Sequence, residues 1–361
     1  WRPKSFDEVV GQPAVVQTIQ NAISADKTVH AYLFSGPRGT GKTTVARILA
    51  KALNCIHSDL SLRPCNSCET CQAVAMGRFL DLIEIDAASN NSVDDIRDLR
   101  DKINYSPGHG AYKVYIVDEV HMLSGAAFNA LLKTLEEPPQ HVVFVLATTE
   151  LHKVPATVKS RCQSHSFRRI SINDIVSRLR EISSKESIEV EDAALYELAK
   201  HSTGSLRDAV SLLDQIMMSE KNTITLSGVH NILGIASDNL VSEIVEALTQ
   251  GNVDSGLRLI NETINNGVNP NQLATQIMGF LRGVLLCSTG NGDLVDFSDQ
   301  IFSIMQECEK ILNTNQIIVM LQAFDKASRD NSASWQPQLT LEMAFVDAMQ
   351  SVVVGHPVDV S

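Results

Sequence analysis

The chain is poor in aromatic residues and has no long apolar run. Aromatics make up 5% of its 361 residues although hydrophobic residues make up 44%, so small aliphatic side chains must fill the core. No apolar stretch approaches the roughly 20 residues that cross a bilayer, and no basic-then-apolar leader or solenoid repeat is present. These absences exclude membrane-spanning and solenoid architectures. We expect a cytoplasmic globular protein with about two or three domains.

Positive charge is also scarce. The chain has 30 Lys and Arg against 42 Asp and Glu, which gives a formal net charge of −12. Residues 1–170 hold 19 basic and 17 acidic residues, whereas the remainder holds 11 and 25. A polyanion would therefore bind the first half, and the acidic second half favours protein contacts or solvated surface. An acidic balance that only maintains solubility is an equally good explanation.

The segment GPRGTGKTT is a phosphate-binding pattern between a predicted strand (31–35) and a predicted helix (43–54). It matches G-x-x-x-x-G-K-[ST], in which glycines let backbone N–H groups approach phosphate oxygens at a helix N-terminus. Lys42 supplies a charge for the β- and γ-phosphates, and Thr43 a hydroxyl ligand for Mg²⁺. The sequence thus predicts an ATP site formed by Gly36, Pro37, Arg38, Gly39, Thr40, Gly41, Lys42, Thr43 and Thr44.

Two adjacent carboxylates follow another apolar run, KVYIVDE. Parallel strands bring their carboxyl ends to one edge of a sheet, so this pair should face the phosphate loop. Asp118 is placed to hold Mg²⁺ and Glu119 to orient or deprotonate the attacking water, although solvated loop acids are the alternative. His121 completes a D-E-x-H string, and we assign it no role.

Further elements surround these acids. Strands are predicted at 81–86 and 141–149, and FNALLKTLEEPP (128–139) is typical of an amphipathic helix that two prolines end. Thr148 and Thr149 at a strand end can contact the γ-phosphate or the lytic water, and capping of the next turn is equally possible.

Four of the seven cysteines lie within 17 residues, as C-x9-C-x2-C-x2-C. In a reducing compartment this clustering favours a metal over disulfides, and four thiolates suit a closed tetrahedral Zn²⁺ site with a structural role. An iron–sulfur cluster is the alternative. The predicted ligands are Cys55, Cys65, Cys68 and Cys71.

From about Ile170 the pattern predicts helices only, with GVHNILG (228–234) as a hinge. We expect an α/β nucleotide-binding domain over 1–169 with the metal module at 55–71, a helical lid over 170–234 and an all-α domain over 235–361.

Several motifs together resemble one family. GPRGTGKT, VYIVDEVHML, FNALLKTLEEPP, the LATT strand end, Ser160-Arg161-Cys162 and GSLRD occur in the order seen in the AAA+ clamp-loader ATPases, most closely those of bacterial DNA polymerase III. The resemblance covers nearly the whole chain, densely up to about residue 215. The cysteine module is similar to an insertion typical of the bacterial members.

The resemblance implies roles for individual residues. Arg161 resembles the arginine finger that reaches a neighbouring subunit's nucleotide, Arg207 the second sensor and Thr149 the first sensor. Trp1-Arg2-Pro3 and FDEVVGQ (6–12) resemble the segment around the adenine, with Val9 and Val10 as contacts.

The resemblance also implies the partners and the overall function. We expect an ATPase that, in a hetero-pentamer with other loader subunits, opens a sliding clamp and loads it onto primer–template DNA, with the last domain as an oligomerisation collar. Lys133 and Arg97 are candidate DNA contacts, whereas SNNSVDD (89–95) offers no basic residue. A DNA translocase of the branch-migration type and a non-hydrolysing ATP-bound scaffold remain alternatives.

Overall fold

The computed structural model describes residues 1–89, 103–219, 223–295, 297–329 and 337–353. It divides into two compact units, residues 1–224 and 225–361. Within the described residues, none of the helices combines the length and the apolar character that a bilayer crossing requires.

The first unit is built on a five-stranded parallel sheet with the order β2-β3-β4-β1-β5. The strands are β1 (Ala31–Ser35), β2 (Leu82–Asp86), β3 (Lys113–Asp118), β4 (Val142–Thr148) and β5 (Gln163–Ser166). Ser35 pairs with Thr148 and Asp86 with Asp118, so four carboxyl ends lie side by side. This edge is where ligands bind in open parallel sheets.

Alternate residues of the central strands pack on opposite faces of the sheet. Tyr32 and Phe34 of β1 join one apolar cluster, whereas Ala31 and Leu33 join the other. Before the lid, the described residues of this unit form the α-helices α1 (Pro13–Ser24), α2 (Lys42–Leu53), α3 (Glu69–Ala75), α4 (Gly125–Glu136) and α5 (Ala156–Lys159). Helices α1 and α2 cover the first face and α4 the second, which makes a three-layered α/β domain.

Helix α4 begins three positions earlier than the sequence pattern predicted. The side chain of Ser124 accepts a hydrogen bond from the backbone N–H of Ala127 at 3.2 Å and so caps the helix. The small residues that follow Ser124 carry no apolar periodicity, which explains the missed turn.

The lid comprises α6 (Ile172–Lys185), α7 (Asp192–His201) and α8 (Leu206–Ser219). The prediction of helices only was wrong in one detail, because β6 (Glu189–Val190) and β7 (Thr223–Ile224) form a short parallel pair. Each has two residues, too few to show the alternation typical of a strand.

The described part of the second unit is helical. Its elements are α9 (Leu226–Leu233), α10 (Asp238–Thr249), α11 (Val253–Asn265), α12 (Pro270–Ser288), α13 (Asp299–Ile311), α14 (Thr314–Arg329) and α15 (Pro337–Val353). The segment predicted as a hinge is mostly α9, capped by Thr225 and ended by Gly234 at a left-handed φ of 62°. Phe280, Phe324 and Phe345 are buried in the core of this unit.

Candidate nucleotide site and cysteine cluster

The phosphate loop joins β1 to α2 and requires glycine at two points. A Cβ on Gly36 would lie 2.3 Å from the carbonyl oxygen of Phe167, and one on Gly39 would lie 1.8 Å from Oγ of Ser205. Gly39 and Gly41 also have φ values of 73° and 101°, where other residues are strained. The loop thus packs against the β5 end and the lid at once.

Lys42 is the first residue of α2, and 6% of it is exposed. Its Nζ donates to the carbonyl oxygens of Gly36 and Pro37, both at 2.8 Å. Burial lowers the pKa of this ammonium, while the carboxylates of Glu119 and Asp118 act in the opposite direction. A phosphate at this ammonium would favour the charged form, so the residue suits an anionic ligand.

The end of β3 meets the phosphate loop through a side-chain hydrogen bond. Thr43 Oγ1 donates to Oδ2 of Asp118 at 2.7 Å, and the backbone N–H of Glu119 donates to Oδ1 of Asp118 at 2.9 Å. Hydroxyl and carboxylate oxygens are the ligands Mg²⁺ prefers. The two residues predicted to hold Mg²⁺ therefore lie together.

Glu119 is held at the end of β4. Its backbone is left-handed, with φ 46°, an unfavourable conformation for a residue with a side chain. Its Oε2 accepts from Oγ1 and from the backbone N–H of Thr149, at 3.0 and 3.3 Å. The predicted base and first sensor are thus in direct contact.

Most of the residues predicted to bind the nucleotide line a cavity of about 470 Å³. Asp118 and Glu119 line it, as does Arg207 from the lid. Its lining also includes Val9, Val10, Arg38, Gly39, Thr40, Gly41, Lys42, Thr43 and Thr44. Residues from 1–3, 9–10, 38–47, 118–119 and 206–211, together with Glu84, Ile170 and Arg178, build one chamber with apolar residues beside the phosphate loop.

Arg2 of the Trp1-Arg2-Pro3 segment lines this cavity, as do Arg47 and Arg178, which the sequence analysis missed. Arg47 pairs with Glu84 of β2, and Arg178 pairs with Glu181. No motif marks them, because they come from separate elements that meet only in the folded chain.

Gln12 ties three segments of the first unit together. It is 3% exposed, and its amide donates to the carbonyl oxygens of Arg168 at 2.7 Å and Thr40 at 3.4 Å. Its own carbonyl accepts from the backbone N–H of Arg168 at 3.1 Å. The N-terminal segment is thereby fixed to the phosphate loop and to the segment between β5 and the lid.

Arg161 lies away from this cavity. Its guanidinium donates to the carbonyl oxygen of Thr157 at 2.8 Å and to Oε1 of Glu136 at 2.7 Å. Lys133 is an exposed residue of α4, whereas Arg97 lies outside the described residues, as do residues 90–95 of SNNSVDD.

The four predicted metal ligands form a cluster in which all Sγ atoms lie within 4.8 Å of one another. The Sγ atoms of Cys55 and Cys68 are 4.0 Å apart, as are those of Cys65 and Cys71. A tetrahedral ion with bonds of about 2.3 Å needs sulfur separations of about 3.8 Å. The donor set and spacing thus fit a single ion, whereas a multinuclear cluster would spread the sulfurs over several irons.

Local hydrogen bonds favour the thiolate form of Cys65. The Ser67 hydroxyl and the backbone N–H groups of Cys68 and Ser67 lower its pKa to about 5, whereas burial raises the pKa of Cys55 and of Cys71. Sγ of Cys68 accepts from the backbone N–H of Cys71 at 3.5 Å, so Cys68 caps α3. The buried Nζ of Lys51 donates to the side chain of Asn66 and to the carbonyl oxygen of Lys4 at 2.7 Å, which anchors the module to α2.

Three protein-family models match consecutive parts of the chain. A model described as DNA polymerase III, delta subunit, matches residues 11–171. The clamp-loader ATPase lid domain matches residues 174–221, and domain III of the DNA polymerase III subunits gamma and tau matches residues 224–357.

Whole-chain relatives carry the names gamma and tau. The DNA polymerase III subunit tau of Bacillus subtilis is 42% identical over 97% of this chain and 62% of its own length. Subunit gamma of Buchnera aphidicola subsp. Baizongia pistaciae is 36% identical over 96% of this chain and 94% of its own. The chain therefore spans less than two thirds of the tau relative and nearly all of the gamma relative.

Among solved structures, the Thermotoga maritima RuvB Holliday junction branch migration motor is similar. It has 22% identity and a TM-score of 0.50, over 68% of this chain and 78% of its own. At this identity the likeness shows a shared fold alone.

Proposed function

This chain belongs to the family of DNA polymerase III gamma and tau subunits, the AAA+ clamp-loader subunits, and on that premise we propose that it is a motor of a clamp loader. It binds ATP with Mg²⁺, opens a sliding clamp and loads the clamp onto primed DNA. The observation that carries the proposal is one cavity lined by the phosphate loop, the Asp118-Glu119 pair and Arg207 of the lid.

Five side chains of the cavity have assigned tasks in this proposal. Lys42 exchanges its two carbonyl partners for phosphate oxygens, and Thr43 and Asp118 hold Mg²⁺, which would neutralise charge that develops on the phosphates. Glu119 orients the attacking water after it leaves Thr149. Arg207 contributes a lid charge from its own subunit.

The arginine finger is contributed by a neighbouring subunit. Arg161 does not line the cavity of its own chain and is paired with Glu136 at the surface. A finger in trans makes hydrolysis depend on assembly, since the charge that stabilises the transition state is supplied from outside. We therefore propose assembly with other loader subunits as a hetero-pentamer, in which residues 235–361 serve as the collar.

Zinc is the ion that we propose for the cysteine cluster. Four thiolates leave no open coordination position, so the ion would hold the loop between α2 and α3 in shape and would take no part in hydrolysis. The requirement for free thiols agrees with a cytoplasmic location.

Two alternatives share the nucleotide site but differ in what it drives. A translocase has the same AAA+ fold, as the likeness to RuvB illustrates, but its turnover would respond to duplex alone. A scaffold would bind ATP for assembly and would not hydrolyse it. The Glu119-Thr149 contact favours hydrolysis, because it provides a base together with a residue that holds it.

Steady-state ATP hydrolysis by an assembly of this chain with its loader partners tests the proposal. We expect strong stimulation only when sliding clamp and primer–template DNA are both present, with unprimed duplex of the same length as the matched control. Equal stimulation by duplex without clamp would indicate a translocase. An intact assembly without stimulated turnover would indicate a scaffold.

A further inference from the structure

His121 is a buried histidine next to the acid pair, and the proposed function gives it no task. It lies in the 3-10 turn Val120–Met122 directly after Glu119, and 6% of its side chain is exposed. Three polar groups surround its ring. Nδ1 is 3.0 Å from Oγ1 of Thr148 and 3.4 Å from Oε2 of Glu119, and Nε2 is 3.4 Å from Oε1 of Glu150.

The hydrogen bonds of Thr148 determine which ring nitrogen carries the proton. Thr148 is fully buried, and its Oγ1 already accepts from the backbone N–H of Glu150 at 3.0 Å. The hydroxyl proton needs an acceptor, and His121 Nδ1 lies within reach. A neutral His121 therefore has a lone pair on Nδ1 and its proton on Nε2, facing Glu150.

This tautomer has a consequence for Glu119. An unprotonated Nδ1 donates nothing to Oε2, so the described donors to that oxygen are the hydroxyl and the backbone N–H of Thr149. A second proton on the ring would place a positive charge 3.4 Å from Oε2 of Glu119 and 3.4 Å from Oε1 of Glu150. Electrostatic attraction to this charge would then hold Glu119 more firmly in its resting position.

Two further basic side chains, those of Lys153 and His152, lie near the ring of His121 and contact the carboxylate of Glu150. Lys153 Nζ contacts both carboxylate oxygens of Glu150, Oε2 at 2.8 Å and Oε1 at 3.0 Å, and the exposed His152 lies 3.5 Å from Oε2. Oε1 of Glu150 therefore faces both Lys153 and the Nε2 of His121. The imidazole thus lies between two carboxylates on opposite edges.

We propose that His121 is a positioning residue that controls how readily Glu119 turns from Thr149 toward the attacking water. The neutral ring binds Thr148 and leaves Glu119 movable, whereas the protonated ring retains it. This inference deepens the proposed function and rests on hydrolysis at this site.

The test compares the pH dependence of turnover in loader assemblies carrying His121→Asn or His152→Asn. In the His121→Asn variant the new amide oxygen takes the place of Nδ1 as acceptor for Thr148, but it cannot take up a proton. His152→Asn is the matched control, because it also removes a histidine that contacts Glu150. We expect wild-type kcat to fall by roughly fivefold from pH 8 to pH 6 with little change in KM for ATP, and the control to follow it.

In His121→Asn, kcat at pH 8 and kcat at pH 6 should agree within roughly twofold. If kcat of this variant fell toward pH 6 as much as wild-type kcat does, the proposal would be overturned. A rise in KM for ATP that accounts for the wild-type loss at pH 6 would overturn it too. A missing response to clamp and primed DNA would refute the loader function alone, because the pH comparison can then be made on basal hydrolysis.

Nitrogen-15 NMR of the full, nucleotide-free chain gives a second measurement that does not depend on turnover. We expect the Nε2–H tautomer at His121, with Nδ1 as the acceptor for Thr148. An Nδ1–H tautomer would contradict the proposal.

Discussion

The backbone N–H of Leu206 donates to the carbonyl oxygen of Gly39 at 3.1 Å, which joins the first residue of the lid helix α8 to the middle of the phosphate loop. The same helix start supplies Ser205, whose hydroxyl occupies the space that a side chain at Gly39 would need. The lid and the phosphate loop are therefore joined by a backbone hydrogen bond and by close packing at one point.

Gly39→Ala should weaken ATP binding. The new Cβ would collide with Ser205 and would force alanine into a left-handed φ of 73°. We expect a loss of roughly tenfold or more in affinity, about 1.4 kcal/mol, measured by titration calorimetry. Gly77→Ala is the control, because Gly77 has a φ of 68° with nothing within 4 Å of its Cβ position. Equal effects of the two changes would mean that backbone strain alone is responsible.

Lys42→Ala should abolish measurable nucleotide binding. The substitution removes the buried ammonium that phosphate oxygens would contact, and we expect a loss of roughly a hundredfold or more in affinity for a fluorescent ATP analogue. Lys27→Ala removes the same charge from an exposed position and should bind as the unmodified chain does. Normal affinity in Lys42→Ala would refute the phosphate-loop assignment.

Arg161→Ala should separate binding from turnover. Because Arg161 lies outside its own cavity, ATP affinity should not change, whereas stimulated hydrolysis in the assembly should fall by roughly a thousandfold. Arg180→Ala breaks a comparable surface pair with Asp192 and should retain stimulation. Full stimulation in Arg161→Ala would place the finger elsewhere.

Metal analysis of the purified chain should find about one zinc ion per molecule. Cys65→Ser should lower this content and the Tm, since the loop between α2 and α3 loses a ligand. Cys287→Ser alters an isolated cysteine and should keep the metal. A brown, iron-containing protein would contradict the zinc assignment.

Much of the first unit could be predicted because local pattern and chemistry coincide there. Strand β1 matches its predicted range, and the phosphate loop, acid pair and cysteines each contain their signal within a short segment. The residues that line the cavity were harder to predict from the sequence. Arg47 and Arg178 reach the cavity from helix positions that no motif marks, and the surroundings of His121 depend on β4 lying beside β3. Roles for Thr149, Arg161 and Arg207 came from family resemblance and stay predictions.

The nucleotide cavity takes its walls from residues that span 1 to 211 of the chain. Contacts between residues so distant in sequence form late in folding, because the intervening chain must be ordered first. Full nucleotide affinity should therefore need all of these segments in place, and a fragment that ended before Leu206 would contain the five-stranded sheet and the phosphate loop but would lack the cavity wall at 206–211. Bound nucleotide, in turn, stabilises the folded state of all these segments together.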